Sequence, residues 1–379
     1  MKNIIYEYTE VNNDSLKQHI INTPVLHKYF KLEWKTLKAR QYCGILNFDD
    51  VDYYLLPKIA NHNDEQNLNI FIYMLMYAYD VKLSNEQIAN CKNQEKHTIL
   101  EVFVQMFAQN LLVELKKGIY KEYITEQDNL PVLKGKYLIN ENLKYNFTKN
   151  KIYCEYDEFS PNNSLNQFFL YVVKYLQKFV KDKKLLKQCE LIFDEVECKS
   201  VDINKFDNVD FNRLNQRFKI SYEIAILLLK QSIPLFNKGK KSFAFLFDMN
   251  SLFERFIARI IKSIDDKAKI QNSDKFNDLI LKPDIILANQ IIDTKYKKIK
   301  SVQDIKQSDK FQAFAYGVNY KVDNVMLLYP RHLDDVNKSL LLGNDEKQEN
   351  LKIKSIDLNF FSGYFEYINE IKKRVVGII

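Results

Sequence analysis

With 379 residues, 46% of them hydrophobic, the chain is long enough to bury a sizeable core and to form more than one domain. Charged residues at 28% argue against wholesale disorder, and no apolar run approaches the roughly 20 residues that span a bilayer. Five dispersed cysteines (Cys43, Cys91, Cys154, Cys189, Cys198) without CxxC spacing argue against a disulfide framework or a structural zinc site. The first residues, Met1 to Glu10, lack the basic-then-apolar order of a secretory signal, so a cytoplasmic location is expected. The net charge is +7, and from residue 236 onward 25 Lys and Arg stand against 19 Asp and Glu. A basic surplus in the last third suits a polyanionic partner.

In chain order, the first 60 residues or so read mostly as strand, and Tyr42 to Lys58 carries two apolar runs around a turn-prone centre, as in a hairpin. Leu68 to Asp80 is apolar on nearly every side and suits a buried helix. Residues 97 to 117 place Leu100, Val104, Phe107, Leu111 and Leu115 at helical spacing, with Gly118 at the position just past the end. Short strands and turns follow over 119–160, then helices over Ser164–Val180 and Asn212–Ile233, the second ending at Pro234. Asn237 to Lys241 is the most linker-like stretch. Beyond it the pattern reads helix, strand, strand, helix, strand and a C-terminal helix from about Phe360, an α/β layer. The expected class is therefore α+β or α/β. A mixed strand-and-helix domain spans 1–155; residues 156–379 hold a helical layer at 160–235 and a core at 241–330.

The chemistry concentrates between Leu279 and Lys297. Two β-rich runs flank Asn289-Gln290, a natural two-residue turn. Residues two apart on a strand share a face, so Asp293 and Lys295 point the same way, and pairing with the preceding strand brings Asp284 beside Asp293. Two adjacent carboxylates repel unless one is protonated or a cation neutralises them. Mg²⁺ does so with carboxylate oxygens while keeping waters, so Asp284 and Asp293 are candidate metal ligands. Lys295 would orient the attacking water or bind the scissile phosphate. The preceding helix, Asp248 to Ile264, has one apolar stripe (Leu252, Phe253, Phe256, Ile257, Ile260, Ile261, Ile264) with Glu254 at its edge. Glu254 either reaches the metal site or closes a capping box with Ser251. Gln312 and Tyr316, four apart on the next helix, either line a DNA cleft or decorate a half-exposed face.

Glu254, Pro283-Asp284 and Asp293-Thr294-Lys295 together resemble the PD-(D/E)XK nuclease superfamily, whose core is a mixed sheet flanked by helices. More closely, Phe245 to Glu254, Asp293 to Lys297 and Ser308 to Gly317 look like McrC proteins. So do Tyr42 to Leu46, Leu56-Pro57-Lys58-Ile59, Met74 to Ala78, Leu133 to Lys136 and Cys154 to Ser160, so the likeness runs nearly the whole chain. It implies the nuclease subunit of a modification-dependent restriction system specific for 5-methylcytosine. Asp284, Asp293, Lys295 and Glu254 would be the catalytic set; Gln312, Tyr316 and Lys297 would bind DNA or support the site. It further implies Mg²⁺ as cofactor, double-stranded DNA with modified cytosine as substrate, and an McrB-like AAA+ GTPase hexamer as partner. The N-terminal domain would dock on that motor and stimulate GTP hydrolysis, and two nuclease subunits would pair within the assembly for double-strand scission. The chain has no G-x-x-x-x-G-K-[ST] loop and only eight glycines, so it is not itself the motor. Two other readings stand beside this one: a non-cleaving adaptor of a motor that holds DNA, against which the complete triad argues, and a solitary repair nuclease, against which the large N-terminal region argues.

Overall fold

A computed structural model of the chain describes residues 3–34, 36–49, 51–60, 63–80, 99–147, 150–199, 209–237, 240–297, 299, 301–331, 336–345, 347–359 and 363–379. It forms two compact units: Met1–Thr98 together with Pro234–Ile379, and Ile99–Ile233. The boundary expected at 155/156 falls inside the second unit, and the expected 156–379 domain is divided between the two.

The first unit opens with β1 (Ile4–Tyr6), α1 (Asp14–Ile21), β2 (Phe30–Glu33), β3 (Thr36–Ala39), β4 (Tyr42–Phe48), β5 (Val51–Leu56) and α2 (Asp64–Ala78). The hairpin expected at 42–58 forms, with β4 and β5 antiparallel from Gly44↔Leu55 to Phe48↔Val51. The mostly extended start holds in five strands, interrupted by α1 and a 3₁₀ turn over Pro24–Lys28. Asn13 caps α1 by accepting the Leu16 N–H, and only Leu16, His19 and Ile20 are buried. Three buried positions in two turns are too few for a helical period to stand out. By contrast, α2 is buried on almost every side, as expected, from Asn67 through Met76.

The second unit contains α3 (Ile99–Lys116), β6 (Glu122–Leu130), β7 (Lys136–Tyr137), α4 (Ile139–Tyr145), β8 (Ile152–Ser160), α5 (Ser164–Leu176), α6 (Lys184–Ile192) and α7 (Lys219–Gln231). Its three strands form one sheet in the order β6-β8-β7, and α3 packs on α6 and α7. The helix expected from Asn212 starts only at Lys219, after a 3₁₀ turn over Gln216–Phe218. Asn215 explains the delay: its side chain accepts from the Asn212 N–H and donates to the Asp210 carbonyl, satisfying the backbone locally.

The chain then continues through β9 (Ser232–Asn237), β10 (Lys240–Asp248), α8 (Met249–Ile264), β11 (Lys269–Ile270), β12 (Asp274–Phe276), β13 (Leu279–Leu281), β14 (Ile285–Ile286) and β15 (Gln290–Thr294). It ends with α9 (Gln307–Tyr320), β16 (Asn324–Pro330), β17 (Asn337–Asn344), β18 (Lys347–Ile356) and α10 (Tyr364–Val376). Of the linker-like stretch, Asn237 ends β9, Lys240 and Lys241 open β10, and Lys238 and Gly239 lie outside the described residues. The linker expectation fails because β9 and β10 are neighbours in one sheet, ordered β1-β5-β4-β10-β9. Within it β10 runs antiparallel to β4, Phe243↔Asn47 through Asp248↔Tyr42, joining segments far apart in sequence. The helix α2 packs on β5 and α8, with the Phe71 and Phe247 rings 5.9 Å apart.

The second sheet of this unit is mixed, ordered β11-β14-β15-β16-β18-β17. Strands β15, β16 and β18 are parallel, with antiparallel pairs at both edges. The crossover from β15 to its parallel neighbour β16 runs through α9, a βαβ unit. Ile291, Val325, Leu327, Tyr329, Leu351 and Ile353 point to one face and form a core with Ala313 and Tyr316 of α9. The fold is thus the expected mixed α/β arrangement. Among the described cysteines, Cys43, Cys154 and Cys189 are buried and Cys198 is exposed, none in a disulfide; Cys91 lies outside the described residues. No helix among the described residues is long and apolar enough to cross a membrane.

Candidate active site

The hairpin that carries the site is shorter than its sequence suggests. Leu279–Leu281 pairs with β12 rather than with β15, and Lys282-Pro283 breaks the run. Proline has no N–H for a ladder, so a fresh strand starts at Ile285. Antiparallel pairing sets Ile285↔Ile292 and Ile286↔Ile291, and the Leu287 N–H donates to the Gln290 carbonyl. The turn is therefore centred on Ala288-Asn289, one residue earlier than expected, and Gln290 belongs to the strand. The same register, continued by one rung, sets Asp284 opposite Asp293.

Asp293 shares the parity of Ile291, so it faces the α9 side of the sheet, and Lys295, two residues on, does too. Lys295 Nζ lies 2.6 Å from Asp293 Oδ2 and donates to Gln312 Oε1 on α9 at 3.2 Å. Asp284 Oδ2 accepts both the Thr294 N–H and Thr294 Oγ1, each at 2.7 Å. Thr294 thus fixes one carboxylate while its two chain neighbours supply the other carboxylate and the amine. The spacing signals Asp293 and Lys295, but nothing in the pattern signals this role for Thr294.

Glu254 of α8 comes within hydrogen-bonding reach of Asp284, and its Oε1 accepts from Gln271 Nε2 at 2.7 Å. The capping-box alternative is not what forms. Asp248 is the N-cap of α8, its carboxylate accepting the Asn250 N–H at 2.9 Å, which leaves Glu254 in the second turn. The apolar stripe of α8 is buried as expected apart from Ile264, which is exposed at the helix end.

The site gathers acidic groups away from water around the Lys295 ammonium. Burial, then the negative charge of Asp284, pushes the Asp293 carboxyl up to about 6 against the pull of Lys295. Burial and then Asp284 raise Glu254 as well, with the Gln271 amide and Lys282 opposing them. Burial works against the Lys295 ammonium, but Asp293, followed by Asp284 and Asp309, outweighs it and holds the amine above its ordinary value. Asp293 is 2% exposed, and its Oδ2, although beside Lys295 in an ion pair, has no aligned hydrogen-bond donor. A buried anionic oxygen in that state favours a cation. Among the described residues no group of three or more His, Cys, Asp or Glu is arranged to enclose a metal. Carboxylate oxygens are the ligand chemistry of hard cations.

The remaining expected residues take supporting places. Tyr316 is only 1% exposed, so it neither lines a cleft nor decorates a half-exposed face. Its hydroxyl accepts from Gln312 Nε2 at 2.8 Å and donates to the Lys282 carbonyl at 2.9 Å, tying α9 to the segment before Asp284. Tyr316→Phe is expected to cost about 1 kcal/mol, because a part-buried carbonyl and an amide lose their partner. The reading is a lowered Tm in thermal denaturation; a Tm equal to wild type would show the phenol to be dispensable. Lys297 is ion-paired to the buried Asp309 at 2.8 Å, so its ammonium is already engaged. A further contact has no signal in the sequence: the buried Tyr296 hydroxyl donates to Glu7 Oε1 at 2.7 Å, and the Lys58 N–H donates to the same oxygen at 2.9 Å. The residue after Lys295 is thereby anchored to the β1 end of the first sheet.

The mixed α/β unit thus sets Asp293 and Lys295 at the end of one sheet strand, with Asp284 held to the intervening Thr294. The family described as McrBC 5-methylcytosine restriction system component matches residues 37–330, and the chain belongs to that family. No curated protein matches the chain. Among solved structures, a chain of a Thermococcus gammatolerans assembly of McrB AAA+ hexamers with bound McrC is 21% identical, with a TM-score of 0.63 and 99% of each chain covered. A chain of the Thermococcus gammatolerans McrBC complex determined by cryo-EM is 25% identical, with a TM-score of 0.50, covering 71% of this chain and 89% of that one.

Proposed function

We propose that this protein is the nuclease subunit of an McrBC-like, modification-dependent restriction system, a Mg²⁺-dependent endodeoxyribonuclease switched on by an AAA+ GTPase partner. The observation that carries the reading is the Asp293–Lys295 ion pair with Asp284 bound to the Thr294 between them. Asp284 and Asp293 would hold Mg²⁺, which when bound polarises the phosphodiester and lowers the pKa of an attacking water. Thr294 keeps the Asp284 carboxylate aimed at the site through two hydrogen bonds. Lys295, steered by Gln312, presents its ammonium to the scissile phosphate or the incoming water. The partner assignment rests on the two Thermococcus gammatolerans assemblies, in which McrC occurs with McrB. The basic surplus of the last third suits the DNA.

Metal dependence offers a direct test. With the complex reconstituted from this chain and its GTPase, EDTA is expected to abolish cutting of DNA carrying modified cytosine, and excess Mg²⁺ to restore it. Calorimetric titration of the isolated chain should show Mg²⁺ binding that Asp284→Ala removes. Cleavage that continues in EDTA would overturn the assignment. Partner binding is best tested on the full chain, because a 1–155 fragment would strip β4 of its partner β10.

A further inference from the structure

Gln271 lies outside every motif that marks the site in sequence, yet its backbone and its side chain each hold one of the site's carboxylate residues. It follows β11, whose rungs to β14 are Lys269↔Ile286 and Ile270↔Ile285. The next rung sets Gln271 against Asp284, and the Gln271 N–H donates to the Asp284 carbonyl at 2.8 Å. Its side chain then crosses to α8, where Nε2 donates to Glu254 Oε1 at 2.7 Å. Gln271 adopts φ +48, left-handed backbone that is unfavourable for a residue with a Cβ. Non-glycine residues persist there where the surroundings compel them, often beside a functional group.

We propose that Gln271 is a positioning residue that pins Glu254 beside Asp284, so that the metal-binding edge keeps the field of a third carboxylate. The inference rests on the nuclease reading above. Glu254 and Asp284 are both acidic, and when both are ionised Coulomb repulsion favours conformers of the longer, more flexible Glu254 that point away from Asp284. The amide of Gln271 opposes that motion with a hydrogen bond to the carboxylate. An amide is suited to the task because it donates without carrying charge. A lysine or arginine at the same place would hold Glu254 equally well but would neutralise it, competing with the cation. The left-handed backbone matters because it lets one residue end the β11 ladder and send its side chain to the helix.

The test uses the full chain with Mg²⁺ as the probe, and reads metal affinity by calorimetry separately from Tm in EDTA. Gln271→Asn keeps an amide that tolerates left-handed backbone but is one methylene too short to reach Glu254. Gln271→Met keeps the length and removes the donor without adding charge. Both are expected to weaken Mg²⁺ binding roughly tenfold or more, the scale seen when groups orienting metal ligands are removed. Tm in EDTA should stay close to wild type for Gln271→Asn, and Glu254→Gln combined with either change should add little further loss of affinity. Wild-type Mg²⁺ affinity in both variants overturns the positioning role. So does a loss of affinity in step with a fall in Tm, which marks a structural role alone. A wild-type chain with no Mg²⁺ response at all overturns the nuclease reading itself, and the clamp with it.

Discussion

Asp293→Asn and Lys295→Met are each expected to reduce cleavage of modified DNA by the reconstituted complex roughly 10²–10³-fold or more, while the partner's GTP hydrolysis persists. Asparagine keeps the shape of Asp293 but removes a negative charge from a site where Asp284, bound to the adjoining Thr294, already acts on it. Without metal that change relieves repulsion, since burial and Asp284 already push Asp293 up to about 6. Asp293→Asn is therefore expected to match or exceed wild type in Tm measured in EDTA, even as cutting is lost. That divergence separates loss of chemistry from loss of fold. Lys295→Met keeps the aliphatic stem and removes the ammonium beside Asp293. It leaves Asp293 without its ion-pair partner, so a lower Tm in EDTA is expected, partly recovered by Mg²⁺. Cleavage at wild-type rates in either variant would remove these residues from the catalytic set and favour an adaptor that holds DNA without cutting it.

Gly44→Ala is expected to cost about 3 kcal/mol or more, by adding strain in a glycine-only backbone region to a steric overlap. Gly44 has φ +142, and a Cβ there would sit 2.1 Å from the carbonyl oxygen of Phe245 on β10. That oxygen belongs to backbone held in register by the β4–β10 ladder, so it cannot swing aside. A loss of this size corresponds to a Tm lower by roughly 6–12 °C for a unit of this length. Gly118→Ala, in the second unit, gives a comparison in which the backbone strain is present without the overlap. Its φ is +122, but no atom lies within 4 Å of the added methyl, so only conformational strain of about 1 kcal/mol is expected. Equal Tm for the two variants would show that the close approach of β4 and β10 is not what Gly44 provides.

Much of the site was legible because its chemistry is local. The two-residue spacing of Asp293 and Lys295 fixes their common face through the strand period alone, and a short hairpin needs only a few neighbouring residues to set Asp284 across from Asp293. The apolar stripe of α8 and the all-round burial of α2 were equally readable, since a helix shows its environment in its own periodicity. Gln312 followed from its place on the helix after the motif, although its bond to Lys295 did not. Local pattern failed where chemistry inside the chain competed with it. Pro283 cut an apparently continuous strand, Asn215 delayed α7, and Asp248 took the capping role that Ser251 and Glu254 seemed to offer.

By itself, the sequence determined the mixed α/β class, the family, and the presence of two aspartates and a lysine on one strand pair, all set by short-range spacing and stereochemistry. Only the tertiary structure decided that β10 joins the N-terminal sheet beside β4, that Tyr316 is buried, that Tyr296 is held by Glu7, and that Gln271 reaches Glu254. Those contacts join residues whose separation along the chain bears no relation to their distance in space. Their energies come from burial and hydrogen bonding after the chain has collapsed, so no local pattern announces them.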